Sequence, residues 1–112
     1  MTHAALSPEG RITTGLHSIG CNQKQFAEIA ACMQIPVSES LINLCLCGKR
    51  SFTPWTSEQL LSLMEELLAL RAYYVQIPIN WRDFERVSTL IVVRRVQQAG
   101  EDVDRAAAKA AQ

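Results

Sequence analysis

Apolar residues recur at every third or fourth position along most of the chain, which is the spacing of one face of an α-helix. The widest apolar stripe lies in segment 57–76, where leucines follow one another at spacings of three and four. No segment sustains the alternation of apolar and polar residues that marks a half-buried strand. The pattern therefore predicts an all-α protein with five main helices, at 8–19, between Asn22 and Pro36, at 38–47, at 57–76 and at 81–98.

Residues that favour helix ends set the expected boundaries of these helices. The expected N-caps are Ser7, Asn22, Ser38, Thr56 and Asn80. Gln25 and Gln59 lie three residues after the second and fourth of these, at the spacing of a capping box. Glycine tolerates the left-handed conformation at a helix end, so Gly20 and Gly48 are expected to end the first and third helices. The alanine-rich segment 101–112 predicts a short, fraying sixth helix.

Composition indicates one folded unit. The chain has 112 residues, of which 48% are apolar, so it can bury a core of its own. We expect a single domain over residues 1–112, with a helix-turn-helix core at about 8–55, a helical packing and dimerisation part at about 56–100, and an alanine-rich tail at 101–112. The formal net charge is zero, so composition alone carries no basic signature of nucleic-acid binding.

Several classes of protein find no support in the sequence. The first apolar stretch has no charged n-region, and no segment reaches the roughly 18 apolar residues of a membrane span, so a cytoplasmic protein is expected. The four cysteines form no C-x-x-C pair and are expected to be free thiols rather than metal ligands. Phosphate-binding glycine loops, paired catalytic carboxylates and histidine clusters are missing. We therefore expect no enzyme, no catalytic residue, no metal and no cofactor.

Residues 22–50 combine two short helices, a turn, a glycine and a basic pair, which is the layout of a DNA-reading helix-turn-helix. The segment Val37-Ser38-x-Ser40-x-Ile42-Asn43, followed by Gly48-Lys49-Arg50, resembles the second half of a lambda-repressor-like (Xre-type) helix-turn-helix. Phe26-Ala27-Glu28 is similar to the family's Leu-Ala-Glu on the preceding helix. The resemblance covers roughly residues 8–70 and implies a sequence-specific transcriptional regulator, of the small phage or bacterial repressor type, that binds double-stranded DNA.

The chain departs from this family in two ways. Between Ala27 and Val37 it has about five residues more than the usual spacing, which indicates a longer helix or turn. The helix at 38–47 is very apolar and carries no Arg or Lys, although those residues, with Asn and Gln, read most bases.

The DNA-binding hypothesis assigns roles to the polar residues of this motif. Asn43 can pair with adenine, and Glu39 can accept from cytosine, when the helix beginning at Ser38 enters the major groove. Ser38 and Ser40 are the other polar positions of this helix that would face the bases, and the remaining candidates would bind phosphates. The full set is Gln23, Lys24, Gln25, Ser38, Glu39, Ser40, Asn43, Lys49 and Arg50.

A homodimer is expected, because repressors of this size usually place two copies about one turn of DNA apart, roughly 34 Å. Apolar residues of the two long C-terminal helices would form the dimer interface, namely Leu61, Met64, Leu68, Phe84, Leu90 and Ile91. A monomer in which these helices cover each other is the alternative. For function, the alternative is a protein-binding module on a helix-turn-helix scaffold, such as an antitoxin or a phage-encoded inhibitor of a host protein; an enzyme ranks last.

Overall fold

The computed structural model describes residues 7–74 and 79–111 of the chain. These residues form five α-helices and no strand, which confirms the expected all-α class. The helices are α1 Pro8–Ile19, α2 Gln23–Cys32, α3 Glu39–Leu46, α4 Pro54–Tyr73 and α5 Phe84–Ala110.

The first three helices begin at the residues that their caps predict. The Ser7 hydroxyl accepts a hydrogen bond from the Gly10 N–H at 3.1 Å. Asn22 accepts from the Gln25 N–H at 2.8 Å, and the Gln25 side chain accepts from the Asn22 N–H at 3.1 Å, so the capping box is complete. The Ser38 hydroxyl accepts from the Leu41 N–H at 3.1 Å. Local hydrogen bonding is therefore enough to set these three starts.

Helix α4 begins earlier than expected. Its N-cap is Thr53, whose hydroxyl accepts from the Thr56 N–H at 3.2 Å, and Pro54 is its first residue. The prediction of Thr56 as the N-cap was wrong, because Thr56 already lies in the first turn. Proline suits that position, since its φ is helical and its missing N–H would have no partner there. The expected end of this helix, at residue 76, lies outside the described residues.

Helix α5 differs from the prediction at both ends. Asp83, and not Asn80, is the N-cap and accepts from the Arg86 N–H at 3.2 Å. Asn80 instead stabilises a short turn by accepting from the Arg82 N–H at 3.1 Å. The helix then continues through Gly100 to Ala110, so segment 101–110 is its last part and not a separate sixth helix. A single mid-helix glycine weakens a helix by about 1 kcal/mol without breaking it.

The core is one cluster of buried side chains to which all five helices contribute. α1 packs along α4, while α2 packs against both α3 and α5. Gly15 explains how closely α1 and α4 approach, because a Cβ at this position would overlap with the sulfur of Met64. Fully buried side chains come from every helix, including Ile12, Phe26, Ile42, Leu60 and Ile91. Gly15 therefore weakens α1 as an isolated helix, but it allows α1 to pack closely against α4.

The turn between α2 and α3 begins with a residue in a left-handed conformation that is not glycine. α2 ends at Cys32, before Pro36 could end it, and Gln34 adopts a left-handed conformation with φ 63°. The Ile35 N–H donates to the Ala30 carbonyl at 2.9 Å, as in a Schellman motif, and Ile35 is buried. α2 therefore ends in this turn, and residues 33–38 connect it to α3.

Replacing Gln34 by glycine should raise the free energy of unfolding by up to about 1 kcal/mol. A left-handed backbone costs a residue with a Cβ roughly 1–2 kcal/mol, and the larger freedom of glycine in the unfolded chain offsets part of that gain. Gln34→Ala is the matched control and should bring no gain. Urea denaturation followed by circular dichroism measures both variants, and an equal change in the two would contradict a backbone cause.

Candidate nucleic-acid interface

Helix α3 has one buried side and one exposed side. Ile42 and Cys45 are buried, and α3 packs against α1 and α2. The exposed residues fall within an arc of roughly 100° on the opposite side, given 3.6 residues per turn. They are Glu39, Ser40 and Asn43, with Cys47 directly after the last turn. The three polar residues that the sequence assigned to base reading on this helix therefore share one accessible face.

Two of the base-reading candidates, Ser38 and Asn43, already accept a hydrogen bond from a neighbouring residue of the same motif. The Ser38 hydroxyl oxygen accepts the capping bond from Leu41, so its hydrogen remains for a phosphate or a base. The Asn43 amide oxygen accepts a weak hydrogen bond from the Cys47 thiol at 3.6 Å. Its NH₂ group has both donors available on the exposed face. Bidentate pairing of Asn43 with adenine therefore requires the thiol of Cys47 to release that oxygen.

The basic pair after α3 is held in place by the backbone. Gly48 is left-handed with φ 80°, and the Lys49 and Arg50 N–H groups donate to the Leu44 carbonyl at 2.9 and 3.3 Å. This C-terminal cap directs the chain away from α3 with both cationic side chains exposed. Lys24 is exposed at the start of α2. Within residues 7–74 and 79–111, these three cations form no ion pair, so they can neutralise phosphates without breaking one.

Gln23 and Gln25 are less accessible than the cations. Both are half-buried, and the Gln25 side-chain oxygen is committed to the capping box of α2. Only the amide nitrogen of Gln25 is left to donate to a phosphate. The predicted phosphate-binding set therefore divides into three exposed cations and two half-buried glutamines, of which Gln25 already caps α2.

The six residues predicted for the dimer interface lie in three different environments. Met64 and Ile91 are buried in the chain's own core, and Leu61, Phe84 and Leu90 are half-buried against it. Of the six, Leu68 is the most accessible, with 37% of its surface exposed. Burial inside one chain removes Met64 and Ile91 from any surface that a second chain could contact. The large apolar residues that do face solvent include Trp55, Tyr73, Val92, Val93, Val96 and Val103.

The cysteines divide into a buried and an exposed pair. Burial raises the pKa of the Cys21 thiol to about 12. Burial also raises the pKa of Cys45, and the positive charge of Arg50 acts against that rise. Cys32 and Cys47 are exposed. In the part of the chain that the structure describes, no cluster of His, Cys, Asp or Glu could hold a metal ion, and no helix is long and apolar enough to cross a membrane.

Sequence reasoning missed Cys47 and Glu9, which are neighbours of the candidate interface. Cys47 borders the exposed face of α3, and its spacing of four from Asn43 was the available signal. Arg50 lines a surface groove between α3 and the start of α1, together with Glu9 and Thr13. No short sequence spacing connects Glu9 to Arg50, so only the packing of α1 on α3 brings them to one groove.

The chain matches no protein-family model, and no curated protein or solved structure is significantly similar to it. The resemblance to the lambda-repressor-like family therefore stands on the short motifs in residues 26–50 alone.

Proposed function

We propose that this protein is a sequence-specific DNA-binding transcriptional regulator of the small phage or bacterial repressor type, which reads the major groove with α3. The observation that carries the proposal is the accessible polar face of α3 within a packed two-helix unit. Glu39, Ser40 and Asn43 share that face, and exposed basic residues directly follow the helix. A recognition helix needs one side that packs against its own domain and an opposite polar side that can enter the groove.

The proposed reading divides contacts between bases and phosphates. Asn43 donates to and accepts from the major-groove edge of adenine, and Glu39 accepts from the amino group of cytosine. Lys24, Lys49 and Arg50 contact phosphates, which supplies affinity that does not depend on sequence. The start of α3 also favours a nearby phosphate through its unpaired amides and dipole. Two copies of the chain would then bind two half-sites of a palindromic operator.

Removing the basic pair tests the phosphate contacts. The Lys49→Ala/Arg50→Ala variant should bind every DNA duplex more weakly and should reduce the slope of log affinity against log salt by about 1–2, since two fewer counterions are released. Asn43→Ala should instead relax the preference at one base pair, at a cost of about 1–3 kcal/mol in discrimination. Fluorescence anisotropy measures both effects, on duplexes selected from a random pool and on an unselected duplex.

The matched control is Arg82→Ala/Arg94→Ala, which removes two exposed cations, one just before α5 and one within it. This control has the same net charge as the test variant but leaves the α3 region unchanged. An equal loss of affinity in the two double variants would mean that DNA responds to net charge rather than to this face. If the Lys49→Ala/Arg50→Ala and Asn43→Ala variants both bind like the unmodified chain, α3 is not the reading helix.

A protein-binding module on the same scaffold, such as an antitoxin or a phage-encoded inhibitor, is the second candidate. It is favoured by the charge of the α3 face, which has Glu39 but no basic residue, and by Trp55, which has 54% of its surface exposed in the first turn of α4. Aromatic residues in such positions are common anchors in protein interfaces. Absence of DNA binding at 50 mM salt, where phosphate contacts are strong, would favour this candidate.

A further inference from the structure

The second half of α5 extends away from the helices that form the core. Every described residue from 92 to 111 is exposed, whereas Val87 and Ile91 in the first half are buried. A helix of this length without tertiary contacts is only marginally stable in water. Gly100 in its middle weakens it further. Within the described residues, the side-chain bonds that connect this segment to another helix are those of Arg95 with Glu66, so its own chain adds little packing to stabilise it.

Small and β-branched residues form a continuous seam along this segment. They alternate at spacings of four and three, as the a and d positions of a coiled coil do. The seam consists of Thr89, Val92, Val96, Ala99, Val103, Ala106 and Ala110. Its three valines are 48%, 66% and 66% exposed, so the side that would be buried in a coiled coil faces solvent. The seam lies on a different side of α5 from Val87 and Ile91, which face the core.

We infer that α5 of a second copy of this chain packs antiparallel along the seam, with the two-fold axis between Gln97 and Gln98. The seam is self-complementary in this register. Val92 faces the partner's Val103, and Val96 faces the partner's Ala99. Thr89 faces the partner's Ala106. At this point a groove lies between the end of α2 and α5, and Met33 and Val92 line it. The small side chain of alanine fits such a groove.

Charge selects this register over its neighbours. Arg95 and Asp102 both flank the seam on the same edge, and in this register each Arg95 faces the partner's Asp102. A shift of one heptad in either direction sets Arg95 against Arg95 or Asp102 against Asp102, which is repulsive. A shift of two heptads leaves either Val103, or both Val92 and Val96, facing positions outside α5. In a parallel pair, Arg95 would face the partner's Gly100 and Asp102 the partner's Ala107, so neither would have an opposite charge to pair with.

Arg95 and Asp102 each keep an atom available for this pairing. Within its own helix, Asp102 Oδ1 accepts from the Gln98 amide at 3.2 Å and lies 3.5 Å from Arg105, which leaves Oδ2 for the partner's Arg95. Arg95 already binds Glu66 of α4 through Nε and Nη2, both at 2.6 Å. That pair holds the arginine in place and leaves Nη1 for the partner's Asp102. On the other edge of the seam, Gly100 faces the partner's Val93, which is 47% exposed in one chain. A glycine at this place lets the two helices approach closely, and nothing lies within 4 Å of the position its Cβ would take.

This interface differs from the one expected from the sequence, because it uses the outer side of α5 rather than the sides of α4 and α5 that form the core. It also goes beyond the proposed function, since it needs no DNA. An experiment without DNA therefore tests it separately from the binding of α3 to an operator.

Disulfide trapping tests orientation and register together. The exposed thiols are first removed by Cys32→Ser and Cys47→Ser, and single variants Val92→Cys and Val103→Cys are then made in that background. A mixture of the two variants should form a disulfide-linked heterodimer under mild oxidation, since the two positions face each other. Each variant alone should form no disulfide, because the two copies of the introduced cysteine in the dimer lie about 16 Å apart along the helix axis, beyond disulfide reach.

Light scattering at micromolar concentration gives the second readout. The unmodified chain should have twice its mass of 12.5 kDa, and Val96→Glu/Val103→Glu should halve the observed mass with unchanged helical content at residues 7–91. Gln97→Glu/Ala108→Glu, on the opposite side of α5, is the control and should remain a dimer. A monomeric unmodified chain, a dimer that survives the seam variant, or a crosslink between two Val103→Cys chains would each overturn the inference.

Discussion

Phe26→Ala is expected to lower the free energy of unfolding by about 3–5 kcal/mol. Phe26 lies on α2 and has 0% of its side chain exposed. α2 packs against both α3 and α5, so a cavity at Phe26 weakens the packing of α2 on its neighbours. A domain of this size has a total stability of roughly 5–15 kcal/mol, so the loss is a large fraction of it.

Urea denaturation followed by far-ultraviolet circular dichroism measures the effect of Phe26→Ala. Phe26→Leu is the first control and should cost less than about 1.5 kcal/mol, because it keeps most of the buried volume. Glu28→Ala is the second control, since Glu28 is exposed on the same helix and should change stability by no more than about 0.5 kcal/mol. A loss below 1 kcal/mol for Phe26→Ala would mean that the core around α2 collapses to fill the cavity.

Trp81→Ala is the second large effect, with an expected loss of about 3–5 kcal/mol in the free energy of unfolding. Trp81 is 8% exposed, and its Nε1–H donates to the carbonyl oxygen of Ile19 at 2.9 Å. Ile19 is the last residue of α1, where carbonyls lose their partners within the helix. The indole therefore satisfies a buried acceptor and also connects the chain before α5 to the end of α1.

Trp81→Phe separates the hydrogen bond from the packing. It keeps an aromatic ring in the core but leaves the Ile19 carbonyl unpaired, at an expected cost of about 1–3 kcal/mol. Trp55→Phe is the matched control at the other tryptophan, which is 54% exposed and should lose at most about 0.5 kcal/mol. Circular dichroism is the appropriate probe, because tryptophan fluorescence changes with the substitutions themselves. Equal losses for Trp81→Phe and Trp55→Phe would mean that the buried hydrogen bond adds no stability.

Local signals were sufficient where one capping group competed with no other. Ser7, Asn22 and Ser38 cap the helices that they were expected to cap. The predictions of Thr56 and Asn80 as N-caps were wrong, because a second capping residue lies three positions away from each. Thr53 precedes a proline that suits the first helical position, and Asp83 begins the run that packs its apolar side into the core. Where two caps compete, the residues that follow each cap decide: a proline at the first helical position for Thr53, and the apolar side of α5 for Asp83.

The polar face of α3 could also be predicted from the sequence, whereas the surroundings of that face could not. Ser40 and Asn43 share a face because of helical spacing alone. The groove that Arg50 shares with Glu9 depends on the packing of α1 against α3, which joins residues far apart in sequence. Helical spacing likewise could not show that Gln34 turns the chain between α2 and α3, since glycine is the usual residue in a left-handed position.

The sequence by itself determined that the chain is all-α, where three of its helices begin, and which polar residues share the outer side of α3. Those properties follow from hydrogen bonds and spacings within one turn of helix. Only the tertiary structure decided which apolar residues remain for a partner. Met64 and Ile91 are in the core, while Val96 and Val103 are exposed. Periodicity shows the width of an apolar stripe but not which neighbour covers it, because that depends on contacts between helices distant along the chain.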